Sequence, residues 1–411
     1  MQGNDAVHRA LIVQLARLGD VMQSLPAISA LGAQLGTMSL DLLCPSPFAS
    51  IGSCIPAIDR VLAWEVERWR VWADRWSSAH DATLAEIETY LCNVMPSSYG
   101  MAFNLNQHSR SILAARLLGH RVIGPGDVGA LTGELPPWAD YLRGVARDRE
   151  RNRIHLADVF CGLCGVMPPG MAPQLRIPET VLPADLASIG DGEGPWIAVA
   201  VGAGDAARCI PLLVWREWIT AVLQGSPTAQ VVLIGSAGEQ ELSSGIQDGL
   251  SPLFLGRVWD ATGRTSVIET ANVLSRCQWV VGSDTGPLHL GTAVGSRAMG
   301  FYFARARVHE TGPYGKGHWV WQANPSVQEE AGQGIAVQHI RTWPIAASAR
   351  LILDGRCDVA EGWTLWESHV DRWGAYYLEA GMVRRPDGTR EEVWRRLHRP
   401  KDVKAQSHEY V

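Results

Sequence analysis

At 411 residues the chain exceeds one ordinary domain, and its 46% apolar and 19% charged residues suit a globular protein with sizeable cores. Its formal net charge is −6 with no block of Lys or Arg, which argues against nucleic acid as the main ligand, because backbone phosphates need a concentrated cationic footprint. The first apolar stretch is too short for a secretory signal and no run of about 18–20 apolar residues follows, so a cytoplasmic protein without a membrane span is expected, with peripheral association at the inner face of the inner membrane left open.

Residues 10–15 (ALIVQL) read as a buried parallel strand followed by the loop 16–20. Val21, Leu25, Ile28, Leu31 and Leu35 then recur at helical spacing, with Pro26 in the first turn. Strands at 38–44 (MSLDLLC) and 102–106 (AFNLN) alternate with helices, which implies βαβ units and a parallel sheet. Asn104, Asn106, His108 and Arg110 lie at and just past the end of the later strand, placed to meet an acceptor. Between those strands, AWEVERWRVWADRW sets Trp69, Trp72 and Trp76 on one helical face. Its Arg68, Arg70 and Arg75 are balanced by Glu65, Glu67 and Asp74, which favours core packing or a cleft-lining insertion over a cationic membrane-surface helix.

A polar run and then a Pro- and Gly-rich stretch occupy 145–195, and the domain boundary is placed near their end. This gives 1–185, 186–345 and a C-terminal extension, 346–411. The second half repeats the architecture. Strand 196–201 ends in Gly202, Ala203 and Gly204; strand 230–234 ends in a Gly235–Glu239 segment; a helix over 266–276 leads into strand 278–281, which ends in Asp284, Thr285 and Gly286. A last strand is expected near 298–303. Each cluster follows the carboxyl end of a strand, where ligands of open α/β sheets bind, and glycines with exposed helix N–H groups favour phosphate. Glu239 is placed for ribose hydroxyls, or equally as an ordinary first-turn Glu. Asp284 or Thr285 could cap its helix, and His289 could orient phosphate or sugar hydroxyls or be a satisfied core histidine. No G-x-x-x-x-G-K-[ST] occurs, which excludes P-loop NTPase chemistry.

Eight cysteines (44, 54, 92, 161, 164, 209, 277 and 357) are expected to be reduced, and the single C-x-x-C of Cys161 and Cys164 lacks a second pair, so buried thiols are preferred over a metal. Beyond 321, IRTWPIAASARLIL could supply a closing helix. WTLWESHVDRWGAYYLEAG reads as helical, and the end after Arg399 as disordered.

Four segments together resemble the heptosyltransferase family, glycosyltransferase family 9: LARLGDVMQSLPA (15–27), RCIPLLVWREW (208–218), SDTGPLHLGTAVG (283–295) and TGPYG (311–315). The resemblance covers roughly 8–320 and implies an α/β fold of glycosyltransferase B type, two Rossmann-like domains facing across a cleft. It also implies an inverting enzyme with the nucleotide sugar on the C-terminal domain and the acceptor on the N-terminal one. ADP-heptose is the expected donor and lipopolysaccharide core the usual acceptor, with another glycan, a glycolipid or a protein as alternatives; no cofactor and no metal are expected. Asp20, which by position alone reads as a helix cap, matches the family's base. Arg208 falls where the family has a diphosphate-contacting lysine, and Ile210 where it has a tryptophan; both are departures. Gly204, Arg208, Glu239, Asp284, Thr285, Gly286 and His289 are the donor-binding set that follows. Two rival readings keep the fold: a nucleotide-sugar epimerase or hydrolase, and a non-catalytic nucleotide-sugar-binding protein.

Overall fold

The computed structural model describes residues 9–94, 99–127, 136–145, 149, 152–324, 340, 342–382 and 388–398. They form two compact units. One is drawn from Met1–Arg147, Ala157–Pro169 and Thr389–Val411; the other from Asp148–Leu156 and Gly170–Gly388.

The first unit is built on five strands: β1 (Arg9–Val13), β2 (Ser39–Pro45), β3 (Arg60–Trp64), β4 (Tyr99–Asn104) and β5 (Gly119–Ile123). All pair in parallel, in the order β3-β2-β1-β4-β5, so the strand order reverses between β1 and β4. Near-continuous apolar runs at β1 and β2 reflect burial on both faces. Their amino ends are locked by Asp41, which is fully buried and accepts hydrogen bonds from Arg9 Nη2 (2.8 Å), Arg60 Nη2 (3.0 Å) and the Tyr99 hydroxyl (2.8 Å). Charge is satisfied at that edge, and the opposite, carboxyl edge carries the ligand-type loops. The tryptophan-rich helix, Val66–Arg75, packs inward: Trp69 stacks on Trp64 at 4.2 Å and Trp72 is buried, while Trp76 is exposed.

In the second unit, β6 (Trp196–Ala200), β7 (Gln230–Ile234), β8 (Val258–Asp260), β9 (Trp279–Gly282), β10 (Arg297–Tyr302) and β11 (Trp319–Ala323) are parallel. β12 (Trp363–Asp371) and β13 (Gly374–Glu379) extend the sheet antiparallel, giving β13-β12-β11-β10-β9-β6-β7-β8. The reversal here falls between β6 and β9. Helix Leu212–Gly225 covers one face through Trp215 and Trp218, whose indole N–H groups reach Val201 O (3.1 Å) and Ser348 Oγ (3.0 Å). Ser348 lies on helix Ile345–Asp354, the expected closing helix.

Two expectations are revised. Residues 363–379 are a β-hairpin, not a helix: Asp371 Oδ1 accepts the Trp373 N–H at 2.7 Å, and Gly374 takes φ +99°, which closes a two-residue turn. The segment 170–195 belongs with the second unit, so that unit starts ahead of residue 186. Leu175 N–H bonds Ala293 O (2.9 Å), Asn272 Nδ2 bonds Pro178 O (3.0 Å) and Arg276 Nη1 bonds Ala187 O (3.1 Å). The extension likewise divides, since 389–398 groups with the first unit. The stretch after Arg399 lies outside the described residues.

Candidate functional site

In the first unit, the candidate residues gather at the reversal of strand order. Asn106 is buried there and ties the ends of β1 and β4 together: its Oδ1 accepts the Leu15 N–H at 2.6 Å and its Nδ2 donates to Gln14 Oε1 at 2.6 Å. Both ends of the amide are engaged, so Asn106 positions the loop more than it offers itself to a ligand. His108 precedes helix Ser109–Leu118 and is exposed, as is Arg110, whose Nη2 reaches back to Leu15 O at 3.4 Å. Asp20 stands in the first turn of helix Leu18–Gln23, half-buried, with Oδ2 accepting the Arg17 N–H at 3.1 Å. One carboxylate oxygen therefore secures the loop that follows β1.

In the second unit, Arg208, Asp284 and His289 come together at the other reversal point. Arg208 Nη1 donates to Asp284 O (2.7 Å) and Oδ2 (3.0 Å); His289 Nε2 lies 3.3 Å from Asp284 Oδ1. Burial works to raise the Asp284 pKa, but the His289 hydrogen bond and the charges of His289 and Arg208 outweigh it and hold the carboxyl below its ordinary value. Asp284 thus stays an anion and fixes the guanidinium beside the loop after β6. Ile210 is buried in the core, two residues along.

Neither Asp284 nor Thr285 caps the next helix, Gly286–Ala293. The Thr285 hydroxyl donates instead to Ser283 O at 3.3 Å, and Pro287 has no N–H to satisfy. Among the described residues no side chain caps this helix, so the backbone N–H groups of its first turn, those of Gly286 and Leu288, face the positive end of the helix dipole. Glu239 lies at the end of β7, where its Oε2 accepts Ser236 N–H (2.6 Å) and Ser236 Oγ–H (2.9 Å). A Cβ on Gly202 would sit 1.8 Å from Glu239 Oε1, so only glycine lets this carboxylate reach the end of β6. Gly204 is exposed on the loop after β6.

The residues 311–315 form a tightly braced loop. Tyr302 hydroxyl donates to Thr311 O (2.7 Å), His155 Nε2 lies 2.8 Å from Gly312 O, and Tyr377 hydroxyl donates to Pro313 O (3.2 Å). Glu310, just before it, pairs with Arg149 at 2.6 Å. Sequence reading passed over both: Arg149 sits in a polar run taken for a connector, and Glu310 among alternating charges with no motif. Cys161 and Cys164 are buried; burial pushes the thiol of Cys164 up to about 12 and that of Cys161 well above its ordinary value. Among the described residues no group of three His, Cys, Asp or Glu side chains could hold a metal. Among them, too, no helix is long and apolar enough to cross a membrane.

Residues 150–334 match the model of glycosyltransferase family 9 (heptosyltransferase). The chain carries a family 9 domain. The protein is accordingly a glycosyltransferase, and the family 9 segment takes in Arg208, Glu239 and the 283–289 motif. Among curated proteins, the chain is 23% identical over 320 residues to lipopolysaccharide heptosyltransferase 1 of Pseudomonas aeruginosa, covering 75% of this chain and 82% of the relative. The enzyme of the same name from Salmonella typhimurium is 25% identical over 291 residues, 70% of this chain and 85% of the relative. Among solved structures, the E. coli heptosyltransferase WaaC with ADP superposes with TM-score 0.57 at 21% identity, covering 77% of this chain and 93% of that one. A family 9 glycosyltransferase from Veillonella parvula gives 0.61 at 16% identity, with 84% and 98% covered. These likenesses establish the glycosyltransferase B fold, with two Rossmann-like units.

Proposed function

We propose that the protein is an inverting glycosyltransferase that takes a sugar, heptose before others, from an ADP-linked donor and places it on a glycan acceptor of the lipopolysaccharide-core kind. The observation that carries the donor half is the arrangement at the carboxyl end of β9. An uncapped helix start lies beside Arg208, whose guanidinium is oriented by an ionised Asp284. Two phosphates leaving with a developing charge need such fixed donors. Arg208 is in the place of the family's lysine, and a planar guanidinium can hold two phosphate oxygens while keeping one N–H on Asp284. Glu239, at the ends of β6 and β7, is assigned to the ribose hydroxyls, and Gly204 to close approach of the backbone.

Inversion requires a base for the acceptor hydroxyl. Asp20 is assigned that role: one oxygen is committed to the Arg17 N–H, which sets the carboxylate's orientation. His108 and Arg110 are assigned to the acceptor, with Asn106 ordering the loop beneath them. The relatives named as lipopolysaccharide heptosyltransferases and the neighbours solved with ADP and with ADP-2-deoxy-2-fluoro heptose support the choice of donor.

The test is incubation of the purified protein with labelled ADP-heptose and heptose-free core glycolipid. Label appearing in the glycolipid, with ADP released, is the expected result. Release of ADP and free sugar with water alone at the same rate would mark a hydrolase, and tight donor binding with no turnover on glycan acceptors would leave a binding protein.

A further inference from the structure

The carboxyl edge of the second sheet holds another buried carboxylate that the donor reading leaves unused. Glu310 lies in the one-turn helix Val308–Thr311, which follows β10, the strand paired with β9 and its Asp284 loop. The Glu310 side chain is only 14% exposed. Arg149 Nε donates to Oε2 at 2.6 Å, and among the described residues no hydrogen bond reaches Oε1. Burial raises its pKa against the opposing pull of Arg149.

The turn that carries Glu310 is pinned at both ends. Val308 N–H donates to Gln322 Oε1 (3.0 Å), and the Tyr302, His155 and Tyr377 side chains hold the next three carbonyls. A carboxylate largely out of water, rigidly mounted and bonded through one oxygen, demands a hydrogen-bond donor for the other. The donor is not accompanied by negative charge, because Asp284 in the loop after β9 adds a second carboxylate to this corner, Arg149 is spent on Glu310, and Arg307, whose charge also reaches Glu310, has its Nη1 on the carbonyls of Ala304 and Ala306. Phosphate is thereby turned away toward Arg208 and the open helix start. Neutral hydroxyl groups meet the requirement.

We propose that Glu310, set in place by Arg149, determines donor-sugar specificity by accepting hydrogen bonds from hydroxyl groups of the transferred sugar. This rests on the nucleotide-sugar reading above and divides that site into a cationic diphosphate half and an anionic sugar half. The test is calorimetric titration of ADP and of ADP-heptose into the full-length protein, its Glu310→Ala variant and its Arg149→Met variant. The wild type should bind ADP-heptose more tightly than ADP. Glu310→Ala should lose about 10-fold or more of that preference while its ADP affinity stays within about twofold, and Arg149→Met should follow it in part. An unchanged ADP-heptose to ADP ratio in a folded Glu310→Ala protein overturns the proposal and leaves the donor site intact. Should that variant not fold, Arg149→Met decides in the same way, an unchanged ratio again counting against. A wild type that binds neither compound removes the nucleotide-sugar reading itself.

Discussion

At the scale of single residues, the donor and base assignments lead to separable effects. Asp20→Asn retains a hydrogen-bond acceptor for the Arg17 N–H but cannot take a proton near neutral pH. Its turnover should fall by about 10²–10⁴ with the donor dissociation constant unchanged. If Asp20 were only a helix cap, turnover would be near normal and the melting temperature alone would move. Arg208→Ala removes a charge from the phosphates and strands Asp284 without its cation, so donor affinity should drop by about 10- to 100-fold, measured by calorimetry. The identities of these residues were legible because Asp, Thr and Gly cluster after recognisable strands. Their grouping was not: Arg208 and Asp284 stand 76 residues apart, and only the placement of β6 beside β9 joins them. Glu310 and Arg149, 161 residues apart, had no local signal at all.

At the scale of elements, the short apolar strands that end in glycine announced themselves, and the edge hairpin did not. Its first strand mixes Trp, Glu and His, and its buried positions, Trp363, Leu365 and Ser368, break strict alternation. The informative signal was the turn, Asp371 to Gly374, where an Asp side chain caps the next-but-one N–H and glycine adopts a left-handed backbone. This hairpin does more than extend the sheet, because Tyr377 on β13 braces the 311–315 loop. A Cβ on Gly312 would come within 2.4 Å of the Tyr377 ring. Gly312→Ala should destabilise the second unit by about 1–3 kcal/mol in denaturant unfolding, and combining it with Tyr377→Leu should recover part of that loss. Loss of equal size in the single and double variants would mean that the brace is not where the strain falls. The uncapped helix Gly286–Ala293 supports a further expectation. If its N–H groups and Arg208 neutralise the leaving diphosphate, exhaustive EDTA treatment should leave turnover unchanged; abolition by EDTA with recovery on Mg²⁺ would refute it.

At the scale of the whole molecule, acidity should weaken the second unit well before ordinary acid denaturation. His155 is buried, and burial lowers its pKa to about 3; burial likewise takes His318 to about 4, where its Nδ1 accepts the Ala298 N–H at 3.1 Å. Each ring stays neutral in the folded protein while the unfolded chain takes up a proton near pH 6.5. Stability is therefore full above that pH and declines as pH falls, by up to about 2.7 kcal/mol per pH unit for the two together between about pH 6 and 4. Glu310, with its raised pKa, opposes the trend, because the folded carboxyl takes up its proton at a higher pH than the unfolded one. Unfolding curves followed through both units at pH 7 and pH 5 measure the slope; a flat response would contradict the neutral-histidine assignment. The two-fold repeat of α/β architecture was readable from strand spacing, whereas the chain's route was not, since 148–156 and 389–398 change units through long-range packing.

Helix Thr389–Leu397 groups with the first unit, where Trp394 is fully buried with its ring 4.4 Å from that of Trp138. Synthesis must pass Leu397 before that wall can be closed. An excised segment such as 1–185 would expose the indole of Trp138 and should aggregate, and Trp394→Ala should cost about 3–5 kcal/mol in the first unit. Supplying 388–411 as a separate peptide should restore solubility to the fragment, so that a helix more than two hundred residues downstream acts as the keystone of the first unit.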